Sequence, residues 1–126
     1  MSRTPAQRTG DAAEERALKH LQRKGRHRCL HRNFRARGGE VDLVTLEGEQ
    51  LVFVEVRART DTGYGRPEET VGPRKQGRLT RAAQAFLAAH PEHAERMCRF
   101  DVVAVDGDGL RWIIDAFRPF ETGFWS

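Results

Sequence analysis

The stretch GGEVDLVTLEGEQLVFVEVRAR, residues 38–59, decides the fold. Apolar residues alternate on either side of EGEQ, which predicts strands near 40–47 and 51–59 joined as a hairpin. A two-residue loop at Gly48-Glu49 and a four-residue loop at 47–50 give the same register. Leu46 then faces Leu51, Val44 faces Phe53, Asp42 faces Glu55 and Glu40 faces Arg57. Directly opposed residues lie about 4.5–5.5 Å apart at Cβ on one face of a sheet. The register therefore sets two carboxylates against each other in runs that otherwise read as core. Like charges that close are destabilising unless a bound cation, a basic side chain or a raised pKa neutralises one of them.

Outward from the hairpin, the chain reads as helix, three strands, helix, two strands. Thr4-Pro5 opens a first helix and Gly25 closes it. A strand near 27–34 precedes the hairpin, and the loop TDTGYGRPEETVGP follows it. PRKQGRLTRAAQAFLAAH repeats Leu79, Ala82, Ala83, Phe86 and Leu87 at helical spacing between Pro73 and Pro91. RFDVVAV and LRWIIDAF read as two last strands around the turn DGDG. The expected order is an α/β domain spanning 1–126, ordered from about 5 to 118, with loose ends before Thr4 and after Pro119.

The first helix adds a third carboxylate. On a wheel, Gly10, Ala13, Ala17 and Leu21 form one narrow stripe, with Leu18 at its edge. Glu14 falls inside that stripe and Glu15 points away from it. A carboxylate on a packing face must meet water, a base or a metal. Paired with a neighbouring arginine, Glu14 would be an ordinary edge residue. Grouped with Asp42 and Glu55, it would be part of a site for Mg²⁺ or Mn²⁺, which take oxygen ligands and keep several waters. Such a metal activates water and neutralises charge in phosphodiester hydrolysis. Arg57 lies roughly 7 Å along the strand from Glu55 on the same face, either as a phosphate-facing cation or in a salt bridge to Glu40.

Composition points to a polyanionic partner without requiring one. The charged fraction is 32% and the formal net charge +4. Two spans, Arg16–Gly39 and Thr70–Pro91, contain no acidic residue. Arg35, Arg37, Arg59, Arg74, Lys75, Arg78 and Arg81 are the candidate nucleic-acid-binding residues. Arg74, Arg78 and Arg81 line one helix face, whereas Lys75 turns toward the apolar side and can reach the site from the helix start. Cys29 and Cys98 have no metal or disulfide spacing, which fits reduced residues in a cytoplasmic protein. No apolar run approaches a membrane span. His90 and His93 read as a solvated helix end, Asp101 and Asp115 as second-layer or edge residues, and Trp112, Phe117 and Phe120 as packing.

The segments GDAAEERALKHL, RNFRARGGEVDLV, LVFVEVRAR, the later Lys75 and RFDVVAV stand in an order that resembles the YraN-like family of small bacterial proteins. That family is similar to the restriction-endonuclease-like, PD-(D/E)xK nuclease superfamily and to archaeal Holliday-junction resolvases. The resemblance runs from about Gly10 to Phe117. It implies an α-β-β-β-α-β core around a central mixed sheet flanked by helices, and a metal-dependent nuclease acting on DNA rather than RNA, on branched or otherwise structured substrates. It also implies that a homodimer is possible. By position, Glu14 matches the helix glutamate, Asp42 the metal-binding aspartate and Glu55 the second metal carboxylate. Arg57 stands where that pattern usually has lysine. Guanidinium keeps its proton in proteins, so Arg57 cannot be a general base. A nucleic-acid-binding module that keeps the nuclease fold and cuts nothing is therefore the alternative, with a protein–protein adaptor as a third.

Overall fold

The computed structural model describes residues 5–58, 71–107 and 109–119, with side chains from Gly10 onward. Two helices, a 3-10 turn and five strands follow in the order α1 (Pro5–Lys24), β1 (Arg28–Ala36), β2 (Gly39–Glu47), β3 (Gln50–Ala58), α2 (Pro73–Ala89), the 3-10 turn (Pro91–His93), β4 (Cys98–Val105) and β5 (Leu110–Phe117). The strands form one mixed sheet in sequence order. All neighbours are antiparallel except β3 and β4, which are parallel. A parallel pair cannot be closed by a tight turn, and α2 lies in the crossover between its strands. This is the mixed α/β sheet that the sequence implies, with β5 added at the edge. Arg59, the loop through residue 70, and Phe120 lie outside the described residues.

The two helices cover opposite faces. Ala13, Ala17, Leu18 and Leu21 of α1 pack on Leu43, Val52, Val54, Val103 and Val105. Leu79, Ala82, Ala83 and Phe86 of α2 pack on Val44, Leu46, Leu51, Phe53, Cys98 and Phe100. Alternation along β3 and β4 accounts for this division. β2 breaks the rule: Val41 packs under α2 although Leu43, two residues on, packs under α1. The residue at the break is Asp42.

The β2–β3 register follows the turn as far as the ladder goes. Leu46 faces Leu51 and Val44 faces Phe53, with Gly48 at φ +60° in the turn. The ladder stops at Leu43 and Val54, so the expected rows Asp42–Glu55 and Glu40–Arg57 are not paired. β2 continues alongside β1 to Gly39, and β3 continues alongside β4 to Ala58. The central sheet is therefore joined at its turn end and unjoined between β2 and β3 at the other.

The turn end is pinned by a buried polar network. Asp101, 1% exposed, accepts from Arg99 Nε and Nη2 at 2.9 and 3.0 Å, from Trp112 Nε1 at 2.8 Å and from the Asp115 amide at 2.9 Å. Arg99 Nη1 also donates to Glu47 and Gln50 at 2.7 and 2.9 Å, tying β4 to the hairpin turn. A buried carboxylate is tolerated when its lone pairs are filled in this way. Asp101 is thus a structural acceptor and Trp112 both core and donor. His90 and His93 differ from the expected solvated end: His90 stacks on Phe86 at 4.1 Å, and His93 accepts from Arg96 at 2.9 Å. An aromatic face beneath the helix end gives both rings a better environment than water.

Candidate functional site

Asp42 and Glu55 meet where the β2–β3 ladder ends. The Val56 amide, which has no β2 carbonyl to bond there, donates to Asp42 Oδ2 at 2.8 Å. The Asp42 and Glu55 carboxyls lie close enough that each feels the other's charge. Burial raises the Asp42 pKa from 3.8 to about 8, and the Glu55 charge adds to the effect. The proton belongs to the pair rather than to either residue alone.

Two cations close on Glu55, whose side chain is only 5% exposed. Lys75 Nζ lies 3.0 Å from Glu55 Oε2 and Arg57 Nε lies 3.5 Å from it. Pro73 opens α2 after an extended Gly72, which places Lys75 in the first turn beside the open end of the sheet. Lys75 thus reaches the site as its position on the wheel predicts. Of the two alternatives for Arg57, the ion pairs of the described residues give Glu55 rather than Glu40. Glu40 faces Arg35 and Arg78 at 3.5 and 4.0 Å instead, because β2 follows β1 and leaves β3.

Glu14 is buried on the α1 packing face, as its stripe position predicts, while Glu15 pairs with Arg32 at 2.9 Å at the surface. Burial raises the pKa of Glu14, and Asn33 and Arg32 nearby act against that rise. Glu14 Oε1 is buried and has no hydrogen-bond partner. Glu14 stands close enough to feel the charge of Glu55 and to act on Asp42. Among the described residues, no three His, Cys, Asp or Glu side chains stand together as a formed metal site. The donors are of the oxygen type that a hard divalent ion takes, two adjacent carboxylates and a third with a spare buried oxygen, with Lys75 and Arg57 already beside Glu55.

Beside this site lies an arginine-lined cleft of about 690 Å³, bordered by Arg35, Arg74, Arg78, Arg81, Gly38, Gly39 and Glu40. Arg81 Nε donates to the Gly38 carbonyl at 2.9 Å, fixing α2 to the β1–β2 turn. Gly38 takes φ +85°, and a Cβ on Gly39 would strike the Arg78 carbonyl oxygen. The close approach of helix and turn therefore requires glycine. Glu40 is the one carboxylate against four guanidiniums in this lining. Arg37 is exposed on the same turn without lining the cleft, and Arg59 is outside the described residues. At the other end of α2, a cavity of about 650 Å³ is bordered by Glu47, Glu49, Glu92 and Glu95 with Gln50, Arg96 and Met97.

Sequence reasoning passed over Asn33, Arg99 and Gly39. Arg99 carried a readable signal, since it is a charge inside the apolar run RFDVVAV. Asn33 and Gly39 carried none, because their roles depend on α1 and α2 packing against the strands.

Comparison with known proteins follows the same boundaries. The model of Uncharacterised protein family UPF0102 matches residues 13–105. A UPF0102 protein of Halorhodospira halophila is 52% identical over 114 residues, covering 90% of this chain and 89% of its own. One of Pseudomonas entomophila is 49% identical over 114 residues, covering 86% and 92%. One of Ralstonia nicotianae is 48% identical over 113 residues, covering 86% and 85%. With the matched region running from the buried stripe of α1 through β4, and so including Glu14, Asp42, Glu55 and Lys75, the chain belongs to the UPF0102 family, the YraN-like family that its motifs resemble.

Proposed function

We propose that the protein is a metal-dependent phosphodiester hydrolase acting on DNA, selecting structure in its substrate rather than sequence. The observation that carries this reading is the approach of Asp42 and Glu55 to each other at the open end of the sheet, with Lys75 and Arg57 on Glu55. Asp42, Glu55 and the spare oxygen of Glu14 would hold Mg²⁺ or Mn²⁺. A bound ion there supplies Lewis acidity and an activated water. Arg57 stays protonated and serves as a fixed positive charge for the phosphate in the transition state. Lys75 supplies the compact ammonium that the Arg57 position lacks. The arginine cleft beside the site positions the sugar-phosphate backbone.

One observation favours a second reading, a binding module that cuts nothing. Glu55 already has two cations within 3.5 Å, which neutralise it without a metal. The two readings separate when purified protein is incubated with branched, single-stranded and duplex DNA, with Mg²⁺, Mn²⁺ or chelator. Metal-dependent cleavage that is lost in Asp42→Ala and Glu55→Ala supports the hydrolase. Arg57→Ala should then cut the rate far more than it weakens DNA binding, with Arg57→Lys restoring part of it. Retention of DNA without cleavage on any substrate replaces the hydrolase with the module. Neither binding nor cleavage removes both.

A further inference from the structure

The four arginines of the cleft are not held alike. Arg35 and Arg78 approach Glu40 at 3.5 and 4.0 Å, and their side chains are 80% and 47% exposed. Arg74 stands exposed in the first turn of α2. Arg81 is fixed. Its Nε donates to the Gly38 carbonyl at 2.9 Å, across the gap between α2 and the β1–β2 turn. Glycines flank this guanidinium on both sides. A Cβ on Gly38 would lie 3.0 Å from Arg81 Nε and 3.2 Å from its Cδ, and a Cβ on Gly77 would lie 3.4 Å from Nη1. Gly77 is one turn earlier on α2, so the side chain lies back toward the helix N-terminus, the direction that helical geometry favours.

We propose that Arg81 fixes a single backbone phosphate in the cleft, its terminal nitrogens held as a fork by the Gly38 carbonyl and the slot between Gly38 and Gly77. This rests on the reading of the cleft as a surface for the DNA backbone. The donors of a guanidinium lie in one rigid plane. The Gly38 carbonyl takes the donor on Nε, which leaves Nη1 and Nη2, and two nitrogens so placed match two oxygens of a phosphate. Glu40, the carboxylate of this lining, faces Arg35 and Arg78 rather than Arg81. The Arg81 fork thus keeps its charge for an incoming anion, with its rotamer set before binding. A side chain fixed in advance avoids an entropy cost that the exposed arginines still meet when they bind. Gly38 serves the arrangement twice: its φ of +85° shapes the turn that offers the carbonyl, and its missing Cβ leaves room for the Arg81 stem. Arg35, Arg74 and Arg78 add charge around the phosphate without defining its place.

The test is DNA binding by the full chain, measured with a labelled duplex over a range of salt, together with the Tm of each protein. Titrations are run well below the lowest Tm. Arg81→Gln places its side-chain amide nitrogen where Nε stands, so the bond to Gly38 is kept while the fork and its charge are gone. Arg81→Lys keeps the charge without the fork. Arg81→Gln is expected to weaken binding roughly tenfold at a Tm close to wild type, and to lower the salt slope by about 0.9. Arg81→Lys should weaken binding at an unchanged slope, and by more than Arg74→Lys or Arg78→Lys does. If Arg81→Lys binds as tightly as those two, Arg81 is a charge like its neighbours and the proposal falls, with the cleft left standing. Wild-type binding in Arg81→Gln confines Arg81 to its bond with the turn and overturns the proposal as well. A wild-type protein that retains no duplex, single-stranded or branched DNA removes the reading of the cleft, and the proposal with it.

Discussion

Asp42 sets the pH behaviour of the metal-free protein. Its pKa is 3.8 as an ordinary side chain and about 8 in the folded protein, through burial and the adjacent Glu55. The folded state therefore holds this proton more tightly than the unfolded chain does. Its contribution to stability is complete below pH 3.8 and is lost as pH rises toward about 8. Asp42→Asn should remove this dependence, since an amide can accept from Val56 and brings no charge beside Glu55. At pH 8 without divalent ion, the variant is expected to be more stable than wild type in chemical denaturation, with the gap closing toward pH 4. Adding Mn²⁺ at pH 8 should raise the Tm of wild type and leave that of Asp42→Asn/Glu55→Gln unchanged. At this scale the sequence was legible wherever a charge broke an apolar pattern, as at Glu14, Asp42 and Glu55. It was silent on Asn33, since an asparagine between Arg32 and Phe34 of an edge strand breaks no pattern. It left two partners open for Arg57, because which of them it meets depends on where the hairpin ladder ends.

Between elements, the contact that matters most is α2 against the β1–β2 turn. Gly39→Ala places a methyl against the Arg78 carbonyl oxygen, so helix and turn must separate. A loss of about 1–3 kcal/mol is expected by thermal or urea unfolding. Gly10→Ala is the matching control: nothing lies within 4 Å of its Cβ, and it sits inside α1, so a gain of about 1 kcal/mol is expected. The same α2 contact aligns Arg74, Arg78 and Arg81 along the cleft. Replacing the three by alanine should flatten the salt dependence of DNA binding, which for duplex falls by roughly 0.9 log unit per log unit of salt for each phosphate neutralised. An unchanged slope would remove α2 from the binding surface. Periodicity revealed the two helices and five strands to within a few residues, most plainly where a face is buried, as in β2, β3, β4 and α2. It could not reveal where the ladder between β2 and β3 ends, since both strands keep their apolar alternation up to the row at which the backbone departs.

Across the molecule, no described helix is long and apolar enough to cross a membrane. The order of elements was readable as a whole because its one crossover coincides with a helix pattern between two strand patterns. What composition concealed was where the charge sits. The N-terminal half of α2 and the β1–β2 turn carry the arginine cleft, and the region beyond the last turn of α2 carries Glu92 and Glu95 beside Glu47 and Glu49. Charge is thus separated along α2, and the helix macrodipole, positive at its N-terminus, points the same way. If DNA is the partner proposed above, this separation would act as a permanent dipole that the polyanion's field turns, cleft foremost, before contact. Reversing the far end with Glu92→Lys/Glu95→Lys leaves the cleft untouched and weakens that torque. At low salt the variant should associate with duplex DNA faster than wild type, through its higher net charge, yet lose a smaller share of that rate when Arg74, Arg78 and Arg81 are removed. Stopped-flow association in the two backgrounds measures how far orientation, rather than attraction alone, governs the encounter.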